Sequence, residues 1–376
     1  MNIKSFCSTN PNSSEAVAEL KDKLNGFNAK MIIFFASENT YVCEDIAQKM
    51  QEAFPDTVVF GCCSISEIND THSYFNSITA MAFNSAVIDD VHVEVVENLR
   101  DGFDLDTTFS KFNSYFNFSI NHADYNKYGG IIMVDTLALK EEELLEAIGD
   151  RTNIMFVGGT ASSVQRLEPS FVFANGKAYD NAALLAVFKC ESGFSFIKTQ
   201  SADVIGPEFK VTKSDIVKRR VYEFDGKPAS ELLAGALGVK LEDFLGDQDR
   251  FRKYLRTNPI GIVINSDIYI RVFQHTDETC VRFANRIFEG QRLSVLQVRD
   301  MIPDTKAAVE EKRKELGSIS GIIDFRCNLR SLQLEGEGKT DEYGKIFEGI
   351  PTIGFSTYGE AFYGFMNYTS AMIVFK

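Results

Sequence analysis

Tryptophan is absent from the 376-residue chain, and histidine is rare. The histidines are His72, His92, His122 and His275. With so few of them, a metal site built from several histidines is not expected. Positive charge is also in short supply: 39 lysines and arginines stand against 53 aspartates and glutamates, which gives a formal net charge of −14. Such a chain repels a phosphate backbone, so we expect no nucleic-acid partner.

Long apolar runs and paired cysteine motifs are missing as well. No run approaches the roughly 20 residues that span a bilayer, and the opening MNIKSFCSTN lacks the apolar core of a signal peptide. The seven cysteines are odd in number and include no CxxC pair, which is typical of reduced thiols rather than of a disulfide framework. The sequence therefore predicts a cytoplasmic protein with no membrane partner.

Known catalytic motifs are lacking too. The chain contains no P-loop, GxGxxG, HExxH or EF-hand spacing. The segment GFSTYG is not the GxSxG nucleophile elbow, because its second glycine comes one residue late. A thiolate at Cys62 or Cys63 beside Glu67 would have its pKa raised, which disfavours a nucleophilic role. We therefore expect no enzymatic activity, no metal and no cofactor.

The composition is otherwise that of a globular protein, with 44% hydrophobic and 24% charged residues. A chain of this length exceeds what one core usually holds. We predict two domains, residues 1–200 and residues 201–376. In the second, Gly226 and Pro228 of EFDGKPASELL predict a turn followed by a helix that begins near Pro228.

An internal repeat links the two ends of the chain. Four residues align in order with similar or identical ones at a constant offset of 293 residues: Phe54, Gly61, Ser64 and Glu67 against Phe347, Gly354, Thr357 and Glu360. Before them MIIFFAS matches GIIDFRC, and after them SITAMAF matches TSAMIVF. The repeated unit of roughly fifty residues reads strand, helix or loop, strand, Gly-x5-Glu loop and returning strand.

A looser copy lies between these two, where GGIIMVDT precedes NIMFVGGTASS and AALLAVF. In the first copy Val42, Ile46, Met50 and Phe54 recur every four residues, which predicts a helical crossover between parallel strands. In the last copy the glycines of LEGEGKT predict a loop and then a short helix near 341–347. The predicted fold class is α/β, with mixed sheets built from repeated strand–helix–strand–loop–strand units and two related halves facing a shared cleft.

The Gly-x5-Glu loops predict a ligand site. A glycine at a strand end permits a sharp turn or a close approach of another group, and the hydroxyls that follow can line a polar concavity. Glu67 and Glu360 can each face an ammonium group or free backbone amides. Ligands of open α/β sheets bind outside the carboxyl ends of strands, where these loops would lie. The alternative is a structural role, in which the glutamate caps a turn and the glycine relieves a bend.

A series of segments, in this order, resembles the FIST family. The segments are GCCSISEI, FVGGTASS, FDGKPASELL, YIRVF, EGQRLSVL, CNLR, IGFSTYGE and NYTSAMIVF. The family has an N-terminal and a C-terminal FIST region, and the resemblance runs over nearly the whole chain. It implies an intracellular sensory module that binds a small polar ligand, with amino acids proposed. It also implies a histidine kinase, a cyclic-di-nucleotide enzyme or a chemoreceptor as a partner in trans. The family more often has glycine at the position of Ser66.

An amino-acid site needs a donor fork for the carboxylate and an acceptor for the ammonium group. Arg271 and Arg330 are the candidate forks, since a guanidinium grips a carboxylate with two parallel hydrogen bonds. The alternatives are a solvated strand face for Arg271 and a surface ion pair for Arg330. The predicted ligand-binding residues are Ser64, Glu67, Thr160, Ser162, Arg271, Arg330, Tyr358, Glu360 and Asn367.

Two other functions stay open. The resemblance extends to members that bind haem to detect nitric oxide, and His275 would then be the axial ligand, although a lone histidine on a strand is more often structural. Thr160, after Gly158 and Gly159, could instead mimic the N-terminal nucleophile of a hydrolase. No partner base is identified for that reaction, and the intact chain argues against cleavage.

Overall fold

The computed structural model describes residues 2–163, 169–246, 253–254, 256–265 and 267–376. The chain forms two compact units. The first comprises Met1–Thr199, Thr305–Phe365 and Ser370–Lys376, and the second comprises Gln200–Asp304 and Met366–Thr369. The first unit therefore combines residues from both ends of the sequence. The division into sequence domains 1–200 and 201–376 stays a prediction.

The strands and helices alternate along much of the chain. In chain order, the strands are β1 (Ile3–Ser8), β2 (Ala29–Ser37), β3 (Val58–Ser64), β4 (Glu67–Asn69), β5 (His72–Tyr74), β6 (Ile78–Asn84), β7 (Asp90–Val96), β8 (Tyr128–Val134), β9 (Phe156–Thr160), β10 (Val172–Ala174), β11 (Lys177–Tyr179), β12 (Ala183–Lys189), β13 (Phe194–Thr199), β14 (Ala202–Asp215), β15 (Arg220–Phe224), β16 (Lys227–Pro228), β17 (Ile260–Ile264), β18 (Asp267–Arg271), β19 (Phe273–Thr276), β20 (Val281–Phe283), β21 (Arg292–Val298), β22 (Gly321–Cys327), β23 (Thr352–Thr357), β24 (Glu360–Ala361), β25 (Phe365–Met366) and β26 (Ser370–Phe375). The helices are α1 (Ser13–Lys23), α2 (Cys43–Ala53), α3 (Leu105–Phe116), α4 (Glu141–Gly149), α5 (Ala229–Ala236), α6 (Leu241–Gly246), α7 (Ile302–Leu316), α8 (Asn328–Glu337) and α9 (Thr340–Gly344).

Local sequence explains how the first helices form. Asn12 precedes α1, and its side-chain oxygen accepts hydrogen bonds from the backbone N–H groups of Ser14 and Glu15 at 3.0 and 3.2 Å. These bonds satisfy two of the donors that a helix start leaves free. In α2, Ile46 and Met50 are fully buried, so part of the predicted four-residue spacing faces the core.

The segment LEGEGKT differs from its prediction. Instead of a loop, the residues through Glu337 continue α8, and Gly336 lies inside its last turn. The helix ends at Gly338, whose φ of 66° is the left-handed conformation that glycine adopts at little cost. The N–H of Lys339 donates to the carbonyl of Leu334 at 2.8 Å and closes the helix. Gly338 therefore marks the end of a helix rather than the inside of a loop.

The three copies of the repeat share one topology. In each, two parallel strands are joined through a helix, and a later strand returns antiparallel to the first. The copies are β2–α2–β3 with β6, β8–α4–β9 with β12, and β22–α8–β23 with β26. This confirms the predicted α/β fold with mixed sheets and its repeated unit, including the looser middle copy.

One glycine recurs at the same place in every copy. Each lies in the second parallel strand, opposite a residue of the first, and a Cβ atom there would meet that residue's carbonyl oxygen at 2.0 Å or less. The glycine–carbonyl pairs are Gly61 with Phe34, Gly158 with Ile132, and Gly354 with Asp324. Only glycine fits at such a distance, which explains why the sequence repeats it.

The loops that follow these glycines are exchanged between copies. Strand β4 of the first copy pairs with β23 of the last, β24 of the last pairs with β9 of the middle, and β10 of the middle pairs with β3 of the first. The exchange forms a closed cycle within the first unit. It carries the Gly-x5-Glu loops of the first and last copies onto the sheets of other copies, through β4 and β24.

The second unit has its own sheet and core. Its strand order is β18-β17-β21-β14-β15-β20-β19, and β16 pairs with β15. Helix α5 begins at Ala229 directly after Pro228, as predicted. Its buried Leu233 belongs to the same apolar cluster as Phe224 of β15 and Phe273 of β19.

Candidate functional site

The strand ends of the three copies meet in one polar junction inside the first unit. An equivalent backbone hydrogen bond of 2.9 Å joins each pair of copies. The donor and acceptor residues are Ser356 and Ser66, Cys63 and Phe171, and Thr160 and Gly359. The predicted loops around Ser64–Glu67, Thr160–Ser162 and Tyr358–Glu360 are therefore neighbours in space.

Side chains reinforce this junction. The hydroxyl of Ser162 donates to the carbonyl of Ser356 at 2.9 Å and accepts from the N–H of Ile65 at 3.2 Å. The hydroxyls of Thr160 and Thr357 lie 3.3 Å apart. Ser162 thus connects the middle copy to both of the others. Thr160 is buried, and its nitrogen is an internal peptide N–H that donates to Gly359.

Glu67 is a buried carboxyl group at this junction. Its two oxygens accept hydrogen bonds from the hydroxyls of Ser64 and of Ser77, the latter at 2.7 Å. Burial raises the pKa of Glu67 to about 7, and the two hydroxyls oppose that shift. Glu360, its counterpart in the last copy, is also buried and pairs with Gly159.

A cleft of about 460 Å³ opens beside the junction. Its lining residues are Ser37, Asn39, Ile65, Ser66, Phe75, Asn76, Asn328, Ser331, Leu332, Glu335 and Tyr358. Ser37 ends β2, Ile65 follows β3, Asn328 follows β22 and Tyr358 follows β23. The cleft therefore lies at the carboxyl ends of two parallel strand pairs, where α/β proteins commonly bind ligands.

Two hydroxyl groups in the cleft wall have incomplete hydrogen bonding. Ser37 and Ser66 are only 1% and 3% exposed, and neither Oγ atom has a hydrogen-bond partner among the described residues. A buried hydroxyl without a partner costs free energy, and a bound polar group would remove that cost. Of these two, Ser66 lies within the predicted loop, whereas Ser37 was not predicted.

A buried guanidinium lies behind the side of the cleft that residues of the last copy form. Arg326 donates to the hydroxyl of Ser331 at 3.2 Å and to that of Ser73 at 3.0 Å, and it lies 5.1 Å from the ring centre of Tyr343. Ser331 lines the cleft and lies 2.8 Å from the hydroxyl of Ser356. Arg326 was not predicted as a site residue, although a charged residue inside the apolar run GIIDFRC could have indicated one.

The other predicted residues of the first unit take different places. Tyr358 lines the cleft, and its hydroxyl donates to the carbonyl of Ser163 at 2.7 Å. Arg330 is fully buried and is not among the lining residues of the cleft. Its guanidinium donates to the carbonyl and the hydroxyl of Thr199 at 3.4 and 3.2 Å, and to the hydroxyl of Thr305 at 3.1 Å.

Arg271, Asn367 and the alternative haem ligand His275 belong to the second unit. Arg271 ends β18, and its guanidinium donates to the carbonyl of Ile270 at 3.3 Å. Asn367 is buried, and its backbone carbonyl accepts from the side-chain amide of Gln200 at 3.4 Å. His275 lies in β19 and is exposed. Their proposed roles stay predictions.

The part of the chain that the structure describes contains neither a metal-binding cluster nor a helix able to span a membrane. Within it, no group of three or more histidine, cysteine, aspartate or glutamate side chains is arranged to hold a metal ion. None of the helices described is both long and apolar enough to cross a membrane.

Two family models match this sequence. The FIST N domain matches residues 30–227, and the FIST C domain matches residues 229–363. The chain belongs to the FIST family. FIST domains are associated with sensing in signal transduction and with the binding of small ligands. In this FIST protein, the exchanged strands β4 and β10 lie within the region matched by the FIST N domain, and β24 lies within the region matched by the FIST C domain.

Two further similarities accompany the family match. Over 194 residues, 49% of this chain, the FIST protein is 27% identical to an uncharacterized protein of Methanocaldococcus jannaschii. The match covers 37% of that relative's length. Phosphoribosylformylglycinamidine synthase II from Thermotoga maritima aligns over 99% of this chain and 72% of its own, with 11% identity and a TM-score of 0.21. A likeness of that size supports no conclusion about fold or function.

Proposed function

We propose that this FIST protein is a sensor that binds a small zwitterion, such as a free amino acid, in the cleft beside the junction. The observation that carries the proposal is the pair of buried hydroxyls of Ser37 and Ser66 in the wall of that cleft, neither of which has a hydrogen-bond partner in the part of the chain that the structure describes. Binding needs no cofactor and no catalytic step. The output passes to a separate partner protein, for which a histidine kinase, a cyclic-di-nucleotide enzyme or a chemoreceptor is the expected class.

Charged groups of both signs at the cleft, the Arg326 guanidinium behind Ser331 and the Glu335 carboxyl group on the lining, favour a zwitterion. On the side of the first copy, Ser37 is the register partner of Ser64, whose hydroxyl donates to the carboxyl group of Glu67. On the side of the last copy, Ser331 accepts from the guanidinium of Arg326. A carboxylate near Ser331 would meet a hydroxyl backed by the Arg326 guanidinium, and an ammonium group would meet the Ser37 hydroxyl and the carboxyl group of Glu335, which also lines the cleft. We therefore propose that Arg326, acting through Ser331, takes the donor role that the sequence suggested for Arg271 or Arg330.

A thermal-shift screen over the twenty protein amino acids tests the proposal. A ligand at a hundred times its dissociation constant adds about 2.7 kcal/mol to the free energy of unfolding. We expect at least one amino acid to raise the melting temperature, while its N-acetyl derivative and its methyl ester, which each lack one charge, do not. If no free amino acid shifts the transition, or if the derivatives act equally well, the zwitterion proposal is wrong.

Fluorescence gives a second, local measurement, because the chain contains no tryptophan. Phe75 lines the cleft and is 55% exposed, so Phe75→Trp places a single reporter at the site. Tyr363→Trp provides the control, since Tyr363 is more exposed and does not line the cleft. We expect a saturable change in emission with the binding amino acid only in Phe75→Trp. Equal changes in both variants would place the ligand elsewhere.

A further inference from the structure

Helix α8 has one side on the cleft and another in the core. Asn328, Ser331, Leu332 and Glu335 line the cleft, whereas Arg330 is fully buried. A movement of α8 that follows occupation of the cleft would therefore also move the Arg330 guanidinium. The helix is a short rigid element, which makes it suited to carry such a displacement.

The partners of Arg330 have a special place in the chain. Thr199 ends β13 and is the last residue before the chain leaves the first unit, and Thr305 is the first residue after it returns. Arg330 donates to both of them through its two terminal nitrogens. One buried side chain therefore contacts both residues that flank the segment Gln200–Asp304.

A row of buried charges connects the cleft wall to this contact. Arg326, behind Ser331, and Asp324 lie two residues apart on β22. Asp324 is fully buried, accepts from the hydroxyl of Ser370 and interacts electrostatically with Arg326 and Arg330. Burial raises the pKa of Asp324, and the two arginines oppose that shift. Displacing one member of such a row disturbs the others, because buried charges are stabilised by their neighbours.

We propose that Arg330 couples the cleft to the two chain crossings, so that occupation of the cleft changes how firmly Thr199 and Thr305 are held. The proposal rests on the proposed function, in which the cleft is the ligand site. Arg330 is then a positioning residue of the signalling step rather than the carboxylate fork of the ligand site. The second unit receives the signal through its own chain connections.

A covalent probe tests the coupling without a natural ligand. Leu332 lines the cleft and is 36% exposed, so Leu332→Cys labelled with N-ethylmaleimide places a defined group at the cleft. Tyr125→Cys, at a position of the first unit that is 63% exposed and outside the cleft lining, is the labelled control. Any native thiol that N-ethylmaleimide also labels, such as that of the half-buried Cys7, is labelled in both variants, so its effect cancels in the comparison. Amide hydrogen exchange is then measured in the peptides that contain Thr199 and Thr305.

We expect labelling at Leu332→Cys to change exchange in both peptides by about threefold or more, and labelling of the control to leave them unchanged. Adding Arg330→Gln should abolish the response, while Arg330→Lys, which keeps the charge but not the fork, should reduce it. If Arg330→Gln fails to fold, Thr305→Val provides the test. This variant removes the Thr305 hydroxyl that accepts from Arg330, so the label should change exchange less in the peptide that contains residue 305. No response to the Leu332 label, or a response that persists without the Arg330 contacts, overturns the proposal. A failed amino-acid screen would leave this outcome unaffected.

Discussion

At the scale of single residues, the proposed sensor depends on two hydroxyls, those of Ser37 and Ser66, that no other described residue hydrogen-bonds. Ser37→Ala and Ser66→Ala should each weaken binding of the amino acid by about fivefold, since one hydrogen bond contributes roughly 1 kcal/mol. Thr79→Val is the matched control: Thr79 lies in β6, and its buried hydroxyl also lacks a partner among the described residues, but it does not line the cleft. Titration calorimetry would measure the three affinities. Equal losses in all three variants would contradict the assignment.

Glu67 makes stability depend on pH. Its pKa rises from 4.5 to about 7 on folding, so the folded state keeps a proton that the unfolded chain releases. Its stabilising contribution is therefore complete below pH 4.5 and is lost as the pH rises through about 7. In the wild type, this loss lowers the free energy of unfolding by about 3 kcal/mol between pH 4.5 and 8, and Glu67→Gln should abolish that part of the pH dependence. Urea unfolding at intervals from pH 4.5 to 8 measures it, with the exposed Glu342→Gln as control. An unchanged pH profile in Glu67→Gln would refute this prediction.

The arginines mark a limit of residue-level prediction. Sequence alone identifies guanidinium groups but not which neighbours they reach. Arg326 and Arg330 are four residues apart, yet the first adjoins the cleft wall through Ser331 and the second contacts Thr199 and Thr305. Those contacts depend on which segments pack above β22, and residues far away in the sequence supply them.

At the scale of elements, the repeated glycine sets the spacing of the parallel strands. Gly61→Ala would place a Cβ atom 1.7 Å from the carbonyl oxygen of Phe34, which is backbone and cannot rotate away. We expect a loss of more than about 3 kcal/mol in the free energy of unfolding. Gly149→Ala, at the end of α4, would place a Cβ atom with no atom from outside its own helix within 4 Å, so it should instead be neutral or gain up to about 1 kcal/mol. Chemical denaturation compares the two, and similar stabilities would refute the steric argument.

The elements were predictable where a local pattern decides them. The apolar spacing of α2 and the spacing from Gly61 to Glu67 and from Gly354 to Glu360 led to the correct repeat. The loop predicted from the glycines of LEGEGKT is wrong, because Gly336 is tolerated in the last turn of a helix whose Leu334 is buried. Tertiary burial outweighed a local cost of about 1 kcal/mol. The exchange of loops between copies has no local signal and was not predicted.

At the scale of the molecule, the exchange makes the first unit depend on both ends of the chain. Residues 1–199 alone would leave β4 without β23, β9 without β24 and β13 without β26. We expect this fragment to show no cooperative thermal unfolding and to bind a hydrophobic dye, whereas coexpression with residues 305–376 should restore a cooperative transition. Differential scanning calorimetry distinguishes these states. A single sharp transition from the isolated fragment would show that the exchanged strands are dispensable.

The closed exchange also governs what happens while the polypeptide is being made. Strand β9 leaves the ribosome long before β24, its neighbour from the last copy, has been translated. Strand β13 likewise waits for β26. Because an unpaired strand edge invites pairing with other chains, the nascent protein is exposed to misassembly until β24 and β26 emerge. Translation speed over the codons for residues 305–376, and chaperones that shield strand edges, should therefore influence its yield more than they would for a protein whose halves fold independently.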